Sequence, residues 1–112
     1  MKFGMIFRQG DILIVPFPFS NLHSIKRRPV VVLSKKFNGN DLIVCGVTSN
    51  LKERKCSVLM DNDCLIEGIL PMKSLIKVDK LFTLDKSIVI KKVGRLNAQC
   101  FGKVRKEFVG LV

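Results

Sequence analysis

The chain has 112 residues, 47% of them hydrophobic, and carries twenty Lys and Arg against nine Asp and Glu, a formal charge of +11. That length predicts one domain over 1–112, and the apolar content excludes disorder. No apolar run approaches bilayer length, and the short N-terminal apolar stretch meets Arg8 too soon for a signal peptide, so a cytoplasmic protein with no membrane partner is expected.

Residues 11 to 16 form an apolar run between Gly10 and Pro16 and read as a strand, which Pro16 and Pro18 are expected to break. Residues 20 to 28 are polar and read as a loop or loose hairpin. Pro29 opens a second strand through Leu33, since a first-position proline is tolerated. Asn38-Gly39-Asn40-Asp41 has the chemistry of a hairpin turn, and the third strand runs from Leu42 to Thr48. These strands are almost continuously apolar, so both of their faces should be covered.

A basic loop follows, with Lys52, Glu53, Arg54 and Lys55, then a short strand from Cys56 to Met60 and a turn at Asp61-Asn62-Asp63. Gly68 to Pro71 reads as another short strand, Lys77 to Leu84 as a longer one, and Ile88 to Val93 as the last. Asn97 suits an N-cap, and Phe101, Val104, Phe108 and Leu111 recur at helical spacing behind it. That stripe is expected to pack on the sheet. The fold class is mainly β: a small antiparallel barrel with a C-terminal helix.

The charge implies a polyanionic partner, nucleic acid or an acidic protein, although basic surfaces also serve solubility alone. Cys45, Cys56, Cys64 and Cys100 show no Cys-x-x-Cys spacing, and the single histidine, His23, is remote from them in sequence. A zinc site is not expected; the cysteines read as reduced, small residues, Cys45 and Cys100 on apolar faces.

Chemistry concentrates between Gly10 and Asn50. Arg28 precedes a proline, which holds it extended at a strand entry, and its guanidinium fork suits phosphate oxygens. Arg27 is its neighbour and points to the other side. Thr48, Ser49 and Asn50 end the third strand with side chains able to donate to an oxyanion, or simply to cap a turn. Neighbouring strands lie about 5 Å apart, so guanidinium and hydroxyl can flank one phosphate. His23 is a loop histidine able to exchange protons near neutral pH. Asp79, between Lys77 and Lys80, is a base or a solvated charge. Gly-rich phosphate loops and hydrolase triads are absent.

These residues resemble the MazF/PemK toxins of bacterial toxin–antitoxin systems. The likeness rests on Gly10-Asp11-Ile12, Val15-Pro16-Phe17-Pro18-Phe19-Ser20, Arg28-Pro29 before an apolar strand, and Cys45-Gly46-Val47-Thr48-Ser49. It continues at Leu70-Pro71 with Ser74, at Asp79 to Asp85, and at Val93-Gly94-Arg95-Leu96, and is closest to the PemK-like branch.

The resemblance implies an SH3-like barrel, a homodimer, an acidic antitoxin partner, no cofactor and no metal. The activity it implies is cleavage of single-stranded RNA or mRNA through 2′-OH attack, leaving 2′,3′-cyclic phosphate and 5′-OH ends. Arg28 and Thr48 match the family's main catalytic pair. His23 sits in the loop where one branch carries a contributing histidine, and Lys77-Val78-Asp79 stands where that branch has Arg-x-Asp. The loop from Phe17 to Lys26, including Phe19 and Ser20, is expected to border the RNA, with Phe17 and Phe19 stacking on bases or packing inward. Ser49, Asn50, Lys52, Lys26, Arg27 and Lys77 are the remaining expected contacts. The CcdB branch, which poisons gyrase through a tryptophan-bearing C-terminus, is the alternative of similar fold, and this chain has no Trp. A barrel that binds nucleic acid without cutting it is the other.

Overall fold

A computed structural model describes residues 6–18, 25–35 and 39–112. The elements are β1 (Asp11–Pro18), β2 (Ile25–Val32), β3 (Asp41–Thr48), β4 (Ser57–Met60), β5 (Leu65–Gly68), β6 (Ser74–Asp85), β7 (Lys91–Leu96) and the helix α1 (Ala98–Leu111). The seven strands form one curled antiparallel sheet in the order β4-β6-β3-β2-β1-β7-β5. This is the mainly β architecture with a C-terminal helix that the residue pattern implied.

Strand alternation sorts the apolar runs into two cores. Ile12, Val31, Cys45 and Val47 face one side, where Met60, Ile76, Val78 and the helix residues Cys100 and Val104 complete a buried cluster. Leu13, Val15, Val30, Val32, Leu42 and Val44 face the other, joined by Phe7, Leu84 and Val89. Both faces of the central strands are therefore covered, as their unbroken apolar runs required.

Asn97 starts the helix as expected: its Oδ1 accepts from the Cys100 amide at 2.8 Å. The same residue ties the helix to the turn before β5. Its backbone N–H donates to the Cys64 carbonyl at 2.7 Å, and its Nδ2 donates to the Asp63 carbonyl at 2.8 Å. On the far side of β7, Lys92 lies 3.2 Å from both Asp11 Oδ1 and Glu67 Oε2, and Arg95 lies 3.2 Å from Glu67 Oε1. Asp11 is fully buried; its Oδ2 accepts from the Arg8 amide, while Oδ1 meets Lys92 as a charge contact without an aligned hydrogen bond.

Several expectations are corrected. Prolines 16 and 18 do not break β1, which continues to Pro18. The reason is pairing: β7 accompanies β1 only as far as Ile14, so both prolines lie where β1 is an edge, and an edge tolerates a missing N–H. β2 begins at Ile25 rather than Pro29, because the hairpin with β1 extends to Pro18↔Ile25 and draws Lys26, Arg27 and Arg28 into the strand. β5 lies earlier than expected. Gly68 ends it at φ +87, where a Cβ would stand 2.2 Å from the Val93 carbonyl oxygen, so the glycine is a close backbone crossing. The last strand starts at Lys91, after a short 3-10 turn over Lys86–Ile88.

The cysteines also depart from expectation: Cys64 and Cys100 form a disulfide across 36 residues, with Cα atoms 5.4 Å apart. The Asn97 bonds to Asp63 and Cys64 bring the first helical turn against that segment, which places the two thiols together. Cys45 and Cys56 are free.

Candidate active site

A groove of about 1000 Å3 opens where the pairing of β2 with β3 ends. Arg28 and Thr48 both line it. Each lies two residues beyond the Val30↔Gly46 pair that joins β2 to β3, so the two side chains rise from adjacent strands at one level. Arg28 is half-buried and pairs with Val15 across the hairpin, while the residues after Pro29 run straight into the two cores. A guanidinium on such a strand has little freedom to relocate. Pro29 adds to this by holding Arg28 extended.

Thr48 pairs with Leu75 of β6 at the mouth of the groove. Its Oγ1 accepts from the Asn50 amide at 3.1 Å, and Asn50 Oδ1 accepts from the Lys52 amide at 3.0 Å. The hydroxyl thus caps a turn, and it keeps a capacity for chemistry, because accepting an N–H uses a lone pair and leaves the O–H proton to donate.

β6 carries the irregularity that shapes the floor. Cys45 pairs with Leu81 and Gly46 with Lys77, so Val78, Asp79 and Lys80 form a bulge with no partner on β3. Bulges re-aim side chains and gather near functional sites. Lys77 and Lys80 line the groove and Asp79 does not. Asp79 Oδ1 lies 3.9 Å from Lys77 Nζ. The Lys77 side chain is buried, and its ammonium donates to the carbonyls of Glu53 at 3.1 Å and Lys55 at 2.7 Å.

Of the other expected contacts, Phe17 and Asn50 line the groove, whereas Lys26, Arg27, Ser49 and Lys52 are exposed outside its lining. The Phe17 ring stands edge-on to Phe82, centroids 5.5 Å apart, so one face of the groove is aromatic. Phe19, Ser20 and His23 lie outside the described residues. Glu53, Lys80 and Phe82 line the groove without having been expected as site residues. The register of the β6 bulge brings Lys80 and Phe82 there; the stretch Asp79 to Asp85 carried part of the family likeness, but its residues other than Asp79 had no assigned role.

Two groups, Asp85 at the site and Cys45 in the core behind it, are settled by their surroundings. Asp85, at one end of the groove, accepts from the Ser87 amide at 2.8 Å, and this bond with the Ser87 hydroxyl holds its carboxyl below the usual value. Burial pushes the Cys45 thiol up to about 12, which makes it inert packing. Among the described residues, no three His, Cys, Asp or Glu come together in a way that could hold a metal ion.

The family sequence model described as "PemK-like, MazF-like toxin of type II toxin-antitoxin system" matches residues 8–110. The chain belongs to this toxin family. No curated protein sequence matches it. Among solved structures, the MazE–MazF crystal structure from Deinococcus radiodurans superposes with a TM-score of 0.76 at 20% identity, covering 96% of each chain. An endoribonuclease in complex with its cognate antitoxin, from a mycobacterial species, gives a TM-score of 0.73 at 14% identity, over 96% of this chain and 98% of that one. The Mycobacterium tuberculosis toxin MazF-mt6 gives 0.69 at 18% identity, over 89% and 93%. At these identities the likeness establishes the fold. Within that PemK/MazF-like fold, the groove lies where the pairing of β2 with β3 ends. No helix among the described residues is long and apolar enough to cross a membrane.

Proposed function

We propose that this toxin is an endoribonuclease that cleaves single-stranded RNA without a metal ion, with the groove between Arg28 and Thr48 as its active site. The observation that carries the reading is the presence of both residues on one groove, each just beyond the last pair that joins β2 to β3, on strands anchored in the core. The net charge of +11 suits a polyanionic substrate.

The attacking nucleophile is the 2′-oxygen of the substrate ribose. It forms a bond to the adjacent phosphorus as the bond from phosphorus to the 5′-oxygen breaks, giving a 2′,3′-cyclic phosphate and a 5′-OH. Catalysis is then alignment and charge stabilisation. Arg28 clamps the non-bridging oxygens of the scissile phosphate. Thr48, its oxygen already engaged by the Asn50 amide, donates its proton to the same phosphate or orients the 2′-OH. The 2′-OH proton passes to His23, and the departing 5′-oxygen takes up a proton from water; Asp79, outside the groove lining beside Lys77, acts on the reaction through its charge alone. Phe17 and Asn50 contact the bases, with Phe19, Ser20, Lys26, Arg27, Ser49 and Lys52 along the strand on either side. In the cytoplasm the toxin acts as a homodimer, and a cognate acidic antitoxin covers the groove, as the MazE–MazF and toxin–antitoxin complexes of its structural relatives suggest.

The test is incubation of the antitoxin-free protein with single-stranded RNA in EDTA, followed by mapping of the ends. Cyclic phosphate and 5′-OH termini are expected, with matching DNA left intact. Cutting of DNA, or full activity in Arg28→Ala, would exclude the mechanism. Binding of RNA with no cleavage, unaffected by Thr48→Val, would support a non-catalytic barrel; inhibition of gyrase would support the CcdB-like alternative.

A further inference from the structure

We propose that Lys77 is a positioning residue: its buried ammonium holds the 49–56 loop by two of that loop's own carbonyls and so fixes the wall of the groove against which RNA lies. The loop is an unusual object to find ordered. It carries Lys52, Arg54 and Lys55 against the single acid Glu53, so its side chains repel one another. It leaves β3 at Thr48, so any change in its path is felt at the candidate active site.

An ammonium has three donors. Two reach the Glu53 and Lys55 carbonyls at 3.1 and 2.7 Å, and Asp79 stands 3.9 Å from the same nitrogen. Lys77 is therefore committed to protein partners, which is why it tolerates burial at 7% exposure. Although it stands where a substrate-binding cation was expected, its charge is spent on the backbone.

The rest of the loop is arranged around this anchor. Val78 N–H donates to the Cys56 carbonyl at 3.0 Å, Arg54 Nε to the Leu51 carbonyl at 3.1 Å, and the Ser57 hydroxyl to the Arg54 carbonyl. Cys56 sits at φ +54, a left-handed conformation that a residue with a side chain holds only when its surroundings impose it. Lys77 lies directly beside this point, paired with Ser57 on β4 and Gly46 on β3. One side chain thereby joins the floor of the groove to its wall, and Asn50 and Glu53 line the groove from that wall.

The free thiols give a readout independent of activity. Cys56 lies at the base of the loop and is half-buried, whereas Cys45 is fully buried in the core. Lys77→Met keeps the length of the side chain and removes its donors. Labelling by a disulfide reagent should then accelerate about tenfold or more at Cys56, because a locally opened segment exchanges without global unfolding, while Cys45 stays at its wild-type rate. If Lys77→Met fails to fold, Lys77→Gln serves for the same comparison. The kinetic arm rests on the nuclease reading: KM for RNA should rise about tenfold, kcat should change by less than about twofold, and Lys77→Arg should restore most of the loss. An unchanged rate at Cys56, acceleration at Cys45 in step with it, or a loss confined to kcat would each overturn the assignment. Wild-type protein that cuts no RNA would refute the nuclease reading, and the thiol rates would still decide the role of Lys77.

Discussion

The two faces of the sheet draw on alternate residues of the same strands and come to different ends. On one, Ile12, Val31, Cys45 and Val47 are sealed by Cys100 and Val104 of the chain's own helix. On the other, Val30, Val32, Val44 and Leu84 are closed by Phe7 and Val89, with no helix among the described residues over them, and Val30, Phe82 and Leu84 pass directly into the groove wall. The first face holds the chain folded. The second leaves a partly exposed apolar rim beside Arg28, Lys77 and Lys80, where a ligand with both charge and flat rings can lie. Stability and recognition are separable here because a strand sends neighbouring residues in opposite directions.

The sharpest way to break this division is Arg28→Ala. It should lower the cleavage rate by about 10^3-fold, roughly 4 kcal/mol of transition-state stabilisation, and change the unfolding free energy read by urea by no more than about 0.5 kcal/mol. A large stability loss would mean that the groove face also holds the fold. Met60→Ala reverses the pattern. Met60 is fully buried on the helix side, and its truncation should cost about 2–5 kcal/mol of stability, read by denaturant, with cleavage per folded molecule unaltered.

Asn97→Ala removes the N-cap and should cost about 1 kcal/mol, again without effect on cleavage. The smallest effect concerns acid. Lys92, by hydrogen bond and charge, lowers the Glu67 carboxyl from its ordinary 4.5, and Arg95 adds to this. A carboxyl lowered in the folded state contributes stability above its ordinary value and loses it as pH falls through the folded value. Between about pH 6 and pH 3.5 the urea midpoint of Glu67→Gln should fall less than that of the wild-type chain. Equal falls would show that this ion cluster does not matter to folding.

Much of the helix-side face was legible in the residues. Asn97 capped the helix it was expected to cap, and the unbroken apolar runs foretold burial on both sides. What escaped notice is non-local. Whether Pro16 and Pro18 end a strand depends on where β7 stops pairing, more than 70 residues away in the chain. Arg28 and Thr48 stood out from their neighbours because each flanks an apolar run, although Arg28 proves to lie inside β2 and not at its entry. Phe82 and Lys80 enter the groove through the β6 bulge, and no residue near them marks its register. The disulfide was likewise invisible, because it depends on the helix docking against the segment around Cys64.

Asn97 has a kinetic meaning as well. One side chain initiates the helix through Oδ1 and grips the Asp63 carbonyl, 34 residues away, through Nδ2. Helix nucleation and closure of that long segment therefore share a residue, and neither is complete without the other. The first helical turn and the turn before β5 should open and exchange their amide hydrogens as one cooperative unit. The helix would then be gained late, when the strands on which it rests are already in place.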